Sequence, residues 1–367
     1  MTMLEEFNFE MVVKEALREA LRERGHINIL LAGRSGVGKS TLINSIFQGN
    51  FATTGQGRPV TQNTREIKKE NIPLSIFDTR GLEMADFSET LEALKSLINL
   101  RSRNTDSNQH IHVAWICIAE DSRRIEPAEE ELVKMLADRN IPVIAVITKA
   151  RADQGFRAEV LRILPLVMNA VRVRAIAEEL DEGIVLRAMG LKDLVDLTMQ
   201  VVPEGLKRAF TAAQKIDIEL KKTQSHRIVA GAAASAASLA AIPIPFSDAI
   251  GIVPIQVGML AGISATFGLP IDQSFLTTTV GSIVTGAGGT LAKRFIMSSL
   301  LKLIPGTGSV VGGTIAATTA AALTTAFGEA YITALDMLFI RNSGQPPTSD
   351  EVAEAFKAKY HKITGDS

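Results

Sequence analysis

Apolar and polar positions along the chain follow two different regimes. Ile27–Ala32 is a strand-like run, Ile111–Ala119 a continuous buried-strand run and Ile141–Thr148 another apolar strand, the pattern of strands buried on both faces of a sheet. Residues 65–70 and 72–77 read as two further strands, and Ile184–Ala188 as a last one. Between these runs the apolar positions recur at helical spacing. One helix opens at Lys39, a second covers 86–100, and a third runs from Pro127 through Arg139 with Glu129, Glu130 and Glu131 near its positive end. Strands alternating with helices predict an open α/β sheet covered on both faces.

The second regime starts near residue 228. Residues 228–247, 249–271, 273–292 and 303–328 contain no charged side chain, and each approaches the roughly 20 residues that cross a bilayer. They are soft segments, rich in Ala, Gly, Ser and Thr and broken by Pro243, Pro245, Pro254, Pro270 and Pro305. Small residues four apart, such as Gly308 and Gly312, allow close helix–helix contact. Two readings stand for this half: a bundle of hairpins that enters or lies against a membrane, and a buried helical domain that packs on itself or on a second copy.

The flanks are amphipathic. Leu4, Phe7, Met11, Val12, Leu17, Ala20 and Leu21 share one helical face that ends at Gly25. Its polar face mixes Glu and Arg, which favours a helix packing on its own domain over a basic membrane-surface helix. Residues 191–226 read as a charged helical connector. After the Pro346-Pro347 turn, Thr348 or Ser349 is placed to cap a short helix over 350–362. The expected organisation is therefore an N-terminal helix (1–25), an α/β domain (26–190), a connector (191–227), an all-α hydrophobic domain (228–340) and a tail (341–367).

Composition sharpens this division. The 367 residues carry 39 Lys+Arg against 40 Asp+Glu, so no global field favours nucleic acid. That balance hides an asymmetry: Asp248, Asp272, Lys293, Arg294, Lys302, Glu329 and Asp336 are all the charges between Ile228 and Ile340. A single cysteine, Cys117, excludes an internal disulfide framework and reads as core. The acidic first residues, MTMLEEFNFE, do not resemble a secretory signal, so cytoplasmic synthesis is expected. His26, His110, His112, His226 and His361 show no metal-ligand spacing.

Gly33-Arg34-Ser35-Gly36-Val37-Gly38-Lys39-Ser40 fits G-x-x-x-x-G-K-[ST] without a mismatch, between a buried strand and a helix. Its glycines permit a tight turn whose backbone N–H groups converge on phosphate oxygens at a helix N-terminus. Lys39 would reach the β- and γ-phosphates, Ser40 would ligate Mg²⁺, and Thr41 follows as a further phosphate contact. The second motif, Asp78-Thr79-Arg80-Gly81, ends the apolar strand that precedes it.

The loop, the D-x-x-G and their spacing resemble translation-factor-class GTPases, nearest the Era/TrmE-like bacterial group. That resemblance implies a P-loop GTPase sheet flanked by helices, GTP and GDP as ligands, and Mg²⁺ held by Ser40, Asp78 and a switch threonine. Asp78 would act through water, and the Gly81 N–H would sense the γ-phosphate. The switch threonine lies in Arg58–Glu66, where Thr64-Arg65 resembles the Thr-Arg of Era-like switches and Thr61 is the alternative. Base recognition departs from the family's [NT]-K-x-D. Thr148-Lys149-Ala150-Arg151-Ala152-Asp153 keeps Thr-Lys but has Arg151 where the family has Asp, with Asp153 two residues later. Arg187-Ala188-Met189 is a candidate last base-contacting loop. The hydrophobic C-terminal half resembles that of a bacterial family joining an Era-like domain to a Gly/Ala-rich domain of undefined function. More distant similarities are to interferon-inducible immunity-related GTPases and dynamin-like proteins.

The expected activity is slow Mg²⁺-dependent GTP hydrolysis. Leu82 stands where Ras-like proteins carry a water-orienting Gln, and Gly36 stands where a K⁺-activated mechanism wants Asn. Arg58, Arg65 and Arg80 are candidate charge donors. Expected partners are guanine nucleotide, membrane lipid through residues 228–340 and a second copy, at the inner face of the plasma membrane, with no nucleic acid. Two other functions compete: a nucleotide-regulated membrane scaffold with negligible turnover, and an Era-like ribosome-assembly factor.

Overall fold

A computed structural model describes residues 9–49, 51, 58–59, 61, 64–79, 87–241, 247–284 and 313–364. Gly81 with its neighbours Arg80 and Leu82, and the Gly308–Gly312 pair, lie outside these residues. The chain forms two compact units. One is Gly25–Asp217, and the other joins the segment up to Arg24 to the chain from Ile218 onward.

The first unit is a mixed sheet flanked by helices. Its elements are β1 (Ile27–Gly33), α2 (Lys39–Ile46), β2 (Arg58–Pro59), β3 (Thr64–Lys68), β4 (Leu74–Thr79), α3 (Phe87–Ser102), β5 (Val113–Ala119), α4 (Pro127–Ala137), β6 (Val143–Thr148), α5 (Phe156–Ile163) and β7 (Asn169–Arg172). The ribbon β8 (Glu178–Glu179) and β9 (Val185–Leu186) follows, then α6 (Leu191–Val201) and α7 (Lys207–Ala213). Among the described residues the strand order is β2-β3-β4-β1-β5-β6-β7. The central β1 runs parallel to β4 and β5, and β3 runs antiparallel to β4.

Every residue of β1, β5 and β6 is buried, as predominantly apolar strands require when both faces are covered, and the buried Asn28 side chain of β1 donates to the Asn108 and His110 carbonyls. Alternation within β1 divides the core in two. Ile27, Ile29 and Leu31 pack with Leu42 and Ile46 of α2 and Phe210 of α7, while Leu30 and Ala32 pack with Leu94 of α3 and Leu132 of α4. Trp115 stacks on Phe47 with centroids 5.7 Å apart.

Two expectations are corrected here. The last sheet strand is β7, whose short mixed sequence Asn169-Ala-Val-Arg gives little periodic signal. The apolar run from Ile184 instead supplies β9, which pairs only with β8 and leaves Ile184 and Val185 more than half exposed. Residues 191–226 are not one connector: Pro203 follows α6, and a turn at Gln214–Asp217 follows α7, so both helices belong to the α/β unit.

The second unit contains α1 (Phe9–Arg24), α8 (Ile218–Ala240), α9 (Ser247–Phe267), α10 (Gln273–Val284), α11 (Gly313–Arg341) and α12 (Ser349–Thr364). Val13 and Ala20 of α1 are buried in one core with Val257 and Leu260 of α9, Tyr331 of α11 and Phe356 of α12. The N-terminal helix thus buries Val13 and Ala20 in the apolar half, with Val12 and Leu17 packed against that core, while Met11 and Leu21 of the expected face are exposed and Leu4 and Phe7 lie outside the described residues. Pro254 lies inside α9 and does not end it; that helix stops at Gly268, whose φ of +77° closes its C-terminus. Thr348 caps α12, accepting from the Glu351 N–H while Glu351 accepts from the Thr348 N–H at 2.9 Å. Among the described residues, Ala317–Arg341 is a helix long and apolar enough to cross a membrane by length and composition, yet 56% of its most apolar stretch is buried.

Candidate functional site

The phosphate-loop motif occupies the turn from β1 into α2, at the carboxyl ends of the parallel strands where open α/β sheets place ligands. Gly36 and Gly38 have φ of +75° and +95°, a left-handed backbone that L side chains resist. Gly33 is required for a different reason. A Cβ there would lie 2.5 Å from the Cys117 carbonyl oxygen on β5. Lys39 folds back over the turn, its Nζ donating to the Gly33 carbonyl at 2.7 Å and the Arg34 carbonyl at 3.0 Å. Arg34 reaches Glu126 at 3.3 Å, and Ser35, Ser40 and Thr41 are exposed.

Val37 is buried under the loop, and its carbonyl accepts from Thr148 Oγ1 at 2.6 Å. The threonine of the base motif therefore straps the phosphate loop to β6. Cys117 packs beneath the same turn, and burial pushes its thiol up to about 12, so it stays protonated and inert.

Asp78 is half-buried near the end of β4, paired in register with Arg65 of β3. The next residue pair joins Thr79 to Thr64. Thr64 is buried, and its Oγ1 has no hydrogen-bond partner among the described residues; the same holds for Thr61 Oγ1. Thr61 N donates to the Thr64 carbonyl at 3.2 Å, so both hydroxyls belong to one turn. Ser40, Thr64 and Asp78 offer only oxygen donors, which suits a hard divalent cation such as Mg²⁺, and the orphaned hydroxyl fits a coordination role.

The base-motif loop is held by groups that its own sequence does not announce. Buried Glu120, just past β5, accepts from the N–H groups of Arg151 and Ala152 through Oε2 and from Arg172 Nε through Oε1 at 2.6 Å. The Arg172 guanidinium and the two backbone donors hold the Glu120 carboxyl below the usual range despite its burial. Buried Arg174 donates to the Ala150 carbonyl at 2.8 Å and to the Arg187 carbonyl at 2.6 Å. Its backbone also bridges Met189, which brings the Arg187–Met189 segment alongside this loop. Arg123 donates to the carbonyls of Ala152 and Asp153.

Arg151 forks onto Glu178 of β8, Nε to Oε2 at 3.0 Å with a second contact from Nη2 to Oε1. Lys149 has a left-handed φ of +52° and lies 3.8 Å from Asp121. Asp153 accepts from the Arg157 N–H at 2.9 Å in the first turn of α5. Glu120, Arg123, Arg172, Arg174 and Glu178 were missed by motif reasoning. The available signal was Glu120-Asp121 directly after an apolar strand, the position that faces ligands in such sheets.

With this geometry in place, comparisons with known proteins agree. Residues 28–149 match the sequence family described as 50S ribosome-binding GTPase, and residues 207–360 match a domain of unknown function, DUF697. The tRNA modification GTPase MnmE of Paraburkholderia xenovorans is 26% identical over 226 residues, covering 60% of this chain and 44% of that protein. Magnetosome membrane protein 22 of Magnetospirillum gryphiswaldense is 33% identical over 100 residues, covering 27% of this chain and 50% of that protein. A solved probable GTP-binding protein engB aligns at 21% identity and a TM-score of 0.33, over 47% of this chain and 97% of its own. The chain spans about half the length of the curated relatives it matches. It carries a P-loop GTPase domain homologous to MnmE-type GTPases, together with a DUF697 region.

Proposed function

We propose that this chain binds GTP and hydrolyses it slowly, as a nucleotide switch coupled to its helical unit. The observation that carries this reading is the phosphate loop: two left-handed glycines, a third glycine pressed on backbone, and Lys39 folded over the turn. Lys39 and the loop N–H groups bind the phosphates, with Gly33–Thr41 as the cradle. Ser40, Thr64 and Asp78 hold Mg²⁺, which when bound supplies charge neutralisation on the phosphates. Gly81 senses the γ-phosphate. Thr148 and Lys149 position the base.

Phosphoryl transfer depends on positioning and charge, so with no Gln after D-x-x-G turnover is expected to be no faster than that of unassisted GTPases, on the order of 10⁻⁴–10⁻² s⁻¹. Purified chain with labelled GTP and Mg²⁺ tests both parts. Lys39→Ala is expected to weaken binding by roughly 100-fold, the loss of a charge-assisted phosphate contact. Unchanged binding in that variant would sink the reading.

Coupling to the helical unit has a structural support within the α/β unit. The chain enters that unit at Gly25 and runs directly through β1 into the phosphate loop. It leaves past residues bolted to the far end of α2: Gln48 N donates to the Ala213 carbonyl, Lys215 N to Ile46, and Lys215 Nζ to Asn44 at 2.7 Å. Both crossings therefore end on elements that hold the loop.

Membrane engagement through residues 228–340 draws support from the length of the α11 apolar stretch and from a relative named as a magnetosome membrane protein. The burial of that stretch favours the second reading, a bundle that packs on itself or on a second copy. Flotation with anionic vesicles under GTP and GDP separates the two, since a chain that stays unbound in both states rules out the membrane.

A further inference from the structure

We propose that Glu178 reads the guanine base, with Arg151 as its positioning residue. This rests on the GTP-binding reading above. Guanine recognition needs a carboxylate that accepts from both the ring N1–H and the exocyclic amine. Residue 151, where the family has Asp, is a cation and cannot accept either proton.

Asp153 is the sequence alternative, and its Oδ1 is turned toward the first turn of α5 and Arg172. That oxygen accepts from the Arg157 N–H at 2.9 Å and lies 3.6 Å from Arg172 Nε, so turning it toward a base would give up both contacts. The framework around it is equally fixed, with Glu120 holding the N–H groups of Arg151 and Ala152 and Arg123 holding two carbonyls.

Glu178 meets the requirement from another element. The Arg151 fork takes one lone pair on each of its oxygens and leaves a second on each. The fork fixes the carboxylate plane, while the side chain keeps 32% of its surface accessible. Arg151, above all through its hydrogen bonds, holds the Glu178 carboxyl below the usual range. A carboxylate so surrounded stays ionised and acceptor-only. The missing Asp is replaced in space by an acid 27 residues along the chain, presented by the very arginine that displaced it.

A carboxylate-to-amide change converts one acceptor into a donor, which suits xanthine, with a carbonyl where guanine has its amine. Competition binding on the full chain with Mg²⁺ should compare GTP with XTP for wild type, Glu178→Gln, Glu178→Ala, Asp153→Asn and Asp121→Asn. Glu178→Gln is expected to lose roughly 100-fold in GTP affinity and to prefer XTP, the scale set by leaving a buried hydrogen-bonding group mismatched. Glu178→Ala should lose GTP without gaining XTP. Asp153→Asn and Asp121→Asn should keep the wild-type preference.

Arg151→Ala should lower GTP affinity roughly tenfold, about one hydrogen-bonded charge pair, with no inversion toward XTP. A simple structural role for Glu178 would not produce the XTP gain. Unchanged GTP affinity in both Glu178 variants, or inversion in Asp153→Asn or Asp121→Asn, overturns the assignment alone. Wild type that binds no guanine nucleotide overturns the underlying reading and the assignment with it.

Discussion

Gly33 and Gly328 each sit where a side chain would collide with something, but the obstacle differs between the two units. A Cβ on Gly33 would meet a carbonyl oxygen of the adjacent strand at 2.5 Å, and its φ of +148° is itself unfavourable for other residues. On Gly328 of α11 the Cβ would meet Val229 Cγ2 at 2.5 Å and Met259 Sδ at 3.0 Å, both side-chain atoms on neighbouring helices. The α/β unit is thus specified where it matters by backbone against backbone. The helical unit is specified by small residues under side chains that can shift. One kind of constraint leaves a motif in the sequence, and the other leaves only a composition rich in Gly and Ala.

The sharpest break of this contrast is Gly33→Ala. Hydrogen-bonded backbone cannot move aside, so clash and strained φ together cost roughly 3 kcal/mol or more. The expected result is loss of nucleotide binding in a titration that wild type saturates. An alanine variant that binds GTP normally would show that the loop tolerates a displacement the geometry forbids.

Gly328→Leu tests the other side with a smaller effect. Met259 can adopt a new rotamer while β-branched Val229 in its helix has little freedom, so overpacking should cost about 1–3 kcal/mol. Thermal unfolding should show the loss in one transition while GTP binding is kept. Coincident loss of binding would mean that packing of the helices reaches the phosphate loop.

The same contrast explains what was legible in advance. The turn of the phosphate-loop motif was readable because that motif needs particular residues at short spacing, and the sheet was readable because β1, β5 and β6 are predominantly apolar. The base loop was not. Its conformation rests on Glu120 reaching Arg151 N across 31 positions and on Arg174 reaching the Ala150 carbonyl across 24. Spacing of that kind leaves no local pattern. Likewise the stripe on α1 announced burial but not its partner, and only packing placed Val13 and Ala20 with α9 and α11. At the sheet edge, β7 lost out in the sequence to the longer apolar run at Ile184, whose side chains stay exposed.

The smallest expected effect is also the one that treats the units most symmetrically, since each hides a group whose ionisation opposes folding. In the α/β unit burial pushes Glu129 up to about 7, although its Oε2 still accepts from the Glu126 N–H at 2.9 Å in the first turn of α4. In the helical unit burial pushes the Lys221 ammonium well below its ordinary 10.5, where its Nζ donates to the Phe267 carbonyl at 3.1 Å. The signs are opposite. Folded Glu129 binds its proton more tightly than the unfolded chain, so its contribution is present at low pH and is lost as pH rises from 4.5 to about 7. Folded Lys221 binds its proton less tightly, so stability grows as pH rises from its folded value toward 10.5. Melting the chain between mildly acidic and alkaline pH should therefore lower the transition of the α/β unit by the Glu129 share, against the opposite share of His112, whose pKa burial lowers, and raise that of the helical unit by the Lys221 share. Glu129→Gln keeps the acceptor and removes the first slope, and Lys221→Met keeps the length and removes the second. Both transitions moving together, with neither variant flattening its own, would show that these two buried charges do not govern the response of the units that enclose them.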